Sequence, residues 1–116
     1  MTPASSPEGR PTAWPLDHEI ESVREESKRS GSRVARVLLK SDEVRVVVVG
    51  MAQGVAWPEH TATGRVLIRV EQGSIQLGRK EGTAQFVAGM LIALEPGEPH
   101  QVRAVEDSAF LLIVAG

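Results

Sequence analysis

Three histidines, His18, His60 and His100, are the side chains in this chain most able to do chemistry. An imidazole binds a metal through a ring nitrogen, or moves a proton near neutral pH. His60 leads into "HTATGRV" and His100 opens "HQVRAVE", whereas His18 lies among charged residues and reads as a solvated surface group. The usual partners of a catalytic histidine are scarce. There is no cysteine, which excludes thiolate nucleophiles, disulfides and cysteine-ligated zinc or iron–sulfur clusters. There is no tyrosine, which removes one common general acid. Ser108 has no base that the sequence places beside it, so catalytic residues stay unknown at this level.

The elements that position the imidazoles follow from the apolar pattern. Residues 1–15, rich in Pro, Ser, Thr and Gly, are too polar to bury a core and predict a flexible segment. Leu16, Ile20 and Val23 recur at spacings of four and three among charges, which predicts a short helix from Leu16 to Ser30 with Asp17 as N-cap. Residues 16–32 are thus a helix and linker. After "SGS" the period shortens to that of strands. Nine runs, "RVARVLLK", "EVRVVVVGM", "VAWPEHTA", "RVLIRVE", "SIQLGRK", "AQFVA", "MLIALE", "HQVRAVE" and "AFLLIVA", are separated by tight turn signals. Residues 33–116 therefore predict an all-β unit of antiparallel strands closed into a sandwich or barrel.

Strand parity sets His100 on one face with Val102 and Ala104, and groups His60 with Ala62, Val66, Ile68 and Val70. Both histidines are expected to face inward. Trp57 falls out of phase with His60 and is expected to face outward, covered by an N-terminal segment or a second subunit. "EDS" at 106–108 reads as a turn in which Asp107 and Ser108 satisfy local backbone groups. Glycines 54, 73, 89 and 97 read as turn residues needing positive φ or close backbone approach, since no helix follows them to cradle a phosphate.

Composition narrows the partners. A length of 116 residues suits one domain. Thirteen basic and fifteen acidic residues are dispersed, which leaves no basic stripe for nucleic acid. No run approaches the ~20 apolar residues of a membrane span, so a soluble, cytoplasmic protein is expected.

Between Gly54 and His100 the spacing resembles the cupin superfamily, small jelly-roll barrels of the RmlC-like type. Gly54, His60 and Gly73 stand where the first cupin motif has Gly, His and Gly, but Ala62 replaces its second His and Val66 its Glu. Gly89, Gly97 and His100 match the second motif, with Glu95 in place of proline and Ala104 in place of asparagine. The resemblance implies an all-β, small jelly-roll barrel with a short N-terminal helix, and a homodimer. It implies no single activity, because this fold hosts isomerases, epimerases, dioxygenases, decarboxylases, storage proteins and sensory domains.

Two imidazoles without a carboxylate neutralise a divalent cation poorly, so no cofactor, or a weakly bound divalent metal held by His60 and His100, is expected. The favoured reading is a small-molecule pocket lined by His60, Ala62, Val66, Ile68, His100 and Val102. The alternative is a metal-dependent cupin enzyme, of dioxygenase or isomerase type, with His60 and His100 as ligands and Glu95 or the outward Glu59 as a helper.

Overall fold

The computed structural model describes residues 11–116, and the expected flexibility of residues 1–10 lies outside them. One helix and nine strands follow in order, as the periodicities predict. Helix α1, Leu16–Ser30, starts on Pro15, whose φ of −74° suits a helix entry, and no side chain caps it. Asp17 is therefore not the N-cap: the proline sets the start, and Asp17 stands inside the first turn with Glu19. Both charges there meet the positive end of the helix dipole. Gly31, left-handed at φ 69°, ends the helix and donates its N–H to Ser27 O at 2.8 Å.

The strands are β1 (Val34–Lys40), β2 (Val44–Met51), β3 (Ala56–His60), β4 (Arg65–Gln72), β5 (Ser74–Arg79), β6 (Gly82–Val87), β7 (Leu91–Leu94), β8 (His100–Ala104) and β9 (Ser108–Ala115). They form two antiparallel sheets, β1-β2-β9-β4-β7 and β3-β8-β5-β6. Between them lies one aliphatic core built on Val49, Met51, Ile68, Val70, Ile75 and Phe110. Alternation along β2 and β9 serves two interfaces at once. Val47, Val49, Phe110 and Leu112 face the core, while Val48 and Ala109 face helix α1 through Ile20 and Val23.

The helix sits close because Gly50 carries no side chain. A Cβ there would come within 2.1 Å of Val23 O. Polar contacts hold the same interface. Arg36 on β1 donates to Glu26 at 2.8 Å and to Ser22 at 2.8 Å, and lies 3.5 Å from the buried carboxylate of Glu19. Gly54, Gly73, Gly89 and Gly97 all have positive φ, as expected.

At the β8–β9 turn, Asp107 and Ser108 reach further than a local turn requires. Asp107 accepts from Gln53 N, and the buried Ser108 hydroxyl accepts from Ser74 N at 3.0 Å. The reason is close packing: Gly73 turns against Ser108, which brings the start of β5 within reach. Among the described residues, no helix is long and apolar enough to cross a membrane.

Candidate functional site

The antiparallel pairing of β3 with β8 sets His60 directly opposite His100. Their ring centroids are 4.2 Å apart with planes at 64°, an edge-to-face pair. Forty residues of sequence separation are thus closed by one ladder step. Each ring is oriented in the same way. His60 Nδ1–H donates to Pro58 O at 2.8 Å, and His100 Nδ1–H donates to Glu98 O at 3.0 Å. A proton committed to a carbonyl at Nδ1 leaves Nε2 as the acceptor of a neutral ring.

The 95–98 loop that offers the second carbonyl is itself pinned. The Glu98 carboxylate accepts from Glu95 N–H at 3.1 Å and from Arg79 at 2.7 Å, and these two hydrogen bonds hold it below the usual carboxylate range. Gly97, at φ 76°, donates its N–H to Ala62 O at 2.8 Å, which ties the loop to the chain just past His60.

Trp57 corrects the parity expectation. Its indole does not face away from His60 but stacks on it, with centroids 4.1 Å apart and planes at 14°. The cause is a bulge. Trp57 pairs with Val102 and His60 with His100, so β3 spends three residues where β8 spends two, and the extra residue returns Trp57 to the inner side. The guanidinium of Arg33 lies 4.3 Å from the indole centroid and covers its other side, which is worth about 0.5–1 kcal/mol at a partly exposed site. Cation, indole and two imidazoles form one continuous row.

This row forms one wall of a cavity of about 210 Å³ between the two sheets. The opposite wall is aliphatic and comes from Val47, Val49, Val66, Leu112 and Val114. Of the residues expected to line it, His60, Ala62, Val66 and His100 do so. Ile68 and Val102 do not, and lie in the packed core at 1% and 2% exposure. Parity assigns a face but not a depth, and a step of two residues is already about 6.6 Å along a strand. The cavity also takes in Trp57, Thr61, Arg33 and Arg45, which the sequence reading did not select. Arg45 was legible, because it alternates with Val47 and Val49 on one face of β2. Trp57 was signalled by Pro58, since a proline inside a strand marks a bulge or an edge.

The electrostatics are one-sided. Two arginines and two histidines line the cavity and, among the described residues, no aspartate or glutamate does. His60 is held below its ordinary pKa, chiefly by burial, with His100 and Arg33 adding to the effect and the Pro58 hydrogen bond opposing it. His60 is accordingly neutral at pH 7. Glu95 pairs with Arg65 at 3.2 Å on the surface, and Glu59 is exposed, so neither carboxylate joins the imidazoles. His18 is exposed on the helix.

A divalent metal, which cupin relatives commonly carry, does not fit this donor set well. Two imidazoles lie side by side, but Ala62 and Val66 bring no donor and the nearby guanidiniums repel a cation. Among the described residues no group of three or more His, Cys, Asp or Glu could hold a metal ion.

No family model and no curated protein matches the chain. Solved structures do. A cupin superfamily protein from Desulfitobacterium hafniense superposes with a TM-score of 0.69 at 18% identity, over 72% of this chain and 76% of its own. An RmlC-like cupin from Desulfovibrio desulfuricans gives 0.68 at 22% identity, over 74% and 84%. A conserved protein of unknown function from Streptococcus pyogenes gives 0.68 at 23%, over 72% and 73%. At these identities the likeness establishes the fold: this chain is a small cupin-type jelly roll.

Proposed function

We propose that the chain is a cupin-fold binding protein that holds a small molecule in the cavity lined by His60 and His100, with weak metal binding or none. One observation carries this reading: two imidazoles, each with Nδ1 held by a backbone carbonyl, face a wall of valine and leucine across one cavity. Such a site offers hydrogen-bond acceptors at one wall and apolar burial at the other, the usual make-up of a ligand pocket.

The test is a fragment screen of mixed charge, read by amide shifts of the full chain, with Ala62→Trp and Ala35→Trp as cavity-filling controls. Fragments should perturb Val47, Ala62 and Leu112 in the parent but not in the filled variants. A screen in which no fragment of any charge moves these amides would overturn the reading.

The pairing of the two rings across β3 and β8 favours a second reading, a metal-dependent enzyme of dioxygenase or isomerase type with His60 and His100 as ligands. Metal analysis of protein purified without a histidine tag separates the two, since this reading needs near-stoichiometric metal that is lost in His60→Ala and His100→Ala. A homodimer is proposed on the family resemblance, to be checked by sedimentation velocity, and a cytoplasmic location by cell fractionation.

A further inference from the structure

The cavity has a polarity that a generic apolar pocket lacks. Arg33 stands before β1 at the level where Val34 pairs with Gly50, and Arg45 lies near the start of β2, where it pairs with Val114. The two arginines, both exposed, therefore stand towards opposite ends of the cavity's β1–β2 side, with valines of the wall between them. Among the described residues, Arg24, Arg36, Arg65, Arg69 and Arg79 each pair with a carboxylate, whereas no ion pair engages Arg29, Arg33, Arg45 or Arg103, and of these four only Arg33 and Arg45 line the cavity. Asp42 and Glu43 share a second, more open hollow with Arg45, Thr61, Ala62 and Val114, and neither acid lines the cavity. Arg33 keeps its place by stacking on Trp57, which leaves its N–H edge free of that contact.

A cavity of about 210 Å³ has room for roughly seven waters, or for an organic molecule of similar bulk. With Nδ1–H held by a carbonyl, a neutral imidazole offers Nε2 only as an acceptor, which suits a hydroxyl and not an anion. Negative charge is then left to the guanidiniums, and the apolar body to the valine and leucine wall. From this division of labour we infer that the molecule bound here is a small organic carboxylate, drawn in by Arg33 and Arg45 and seated on Val47, Val66, Leu112 and Val114.

The inference rests on the binding reading above and narrows it, so the experiment separates the two. The full chain is titrated with butyrate, benzoate and para-hydroxybenzoate, each paired with its uncharged primary amide, and pocket amide shifts are followed. Carboxylates should bind about tenfold or more tightly than their amides, in line with a charge-assisted hydrogen bond. The preference should shrink with added salt and vanish in Arg33→Gln/Arg45→Gln, whose fold is checked by circular dichroism. Para-hydroxybenzoate should exceed benzoate, and His100→Phe should erase that difference.

Amides that bind as well as carboxylates would overturn the inference and leave the binding reading standing. So would a double variant that keeps the parent's affinity, or a screen in which only neutral fragments occupy the cavity. A cavity that no fragment of any charge enters overturns both.

Discussion

Gly50→Ala is the sharpest test of how the helix sits on the barrel. Gly50 is buried on β2 beneath α1 and is not among the residues with positive φ, so alanine meets no backbone penalty there. Its cost is steric alone. The new Cβ would lie 2.1 Å from Val23 O, 2.3 Å from Val23 C and 2.7 Å from Arg24 N, all main-chain atoms that cannot swing aside as a side chain could. Relief requires the helix to lift by roughly an ångström, which loosens Ile20 and Val23 from Val48 and Ala109.

Overpacking of this kind costs about 3 kcal/mol at the upper end, against a gain of up to about 1 kcal/mol from a stiffer unfolded chain. The net loss is about 2 kcal/mol, or roughly 8 °C in Tm for a domain of this size. Gly54→Ala is the control, because its Cβ meets nothing within 4 Å and only its φ of 84° is strained, at about 1 kcal/mol. Urea and thermal unfolding of both variants read the difference. If Gly50→Ala proves no more destabilising than Gly54→Ala, the helix does not rest on the glycine as described.

Ser108→Ala should destabilise by about 1–3 kcal/mol, because it strands the buried Ser74 N–H, while Ser108→Thr places a methyl in the same packed site and should not restore the parent; equilibrium unfolding measures both. For His60 the direction of the pKa shift fixes the sign: the unfolded chain binds its proton first as pH falls through 6.5. His60 therefore contributes stability above that pH, and loses it progressively as pH falls towards the folded-state value. Ring-proton NMR should place His60 below 6.5, and Trp57→Ala, by uncovering the ring, should move it back up. Ala62→His combined with Val66→Glu rebuilds a four-ligand cupin set, and should raise zinc or nickel uptake after dialysis from well below one to about one equivalent per chain.

Most of the fold was legible because the strands are short, alternating and cleanly punctuated. "HQVRAVE" shows this well, since His100, Val102 and Ala104 are buried and Gln101 and Arg103 exposed, as period two requires. What stayed hidden has physical causes. Parity carries no depth, so Ile68 and Val102 read as cavity wall when they are core. A bulge resets parity, so Trp57 read as outward. Asp17 is a good capping residue, but the proline two places earlier had already fixed where the helix begins. Arg45 is both exposed and on the cavity's edge, a position that its alternation with Val47 and Val49 carries only as a face. The metal motif could be compared position by position, and its gaps at Ala62 and Val66 fall on the cavity wall.

The extra residue in β3 makes the length of a five-residue strand a determinant of chemistry. Removing Glu59 would restore strict alternation, rotate the indole towards solvent and release Arg33 from its perch, with no cavity side chain altered. Insertions and deletions around Pro58 therefore change which side chains face the cavity while leaving every wall residue in place.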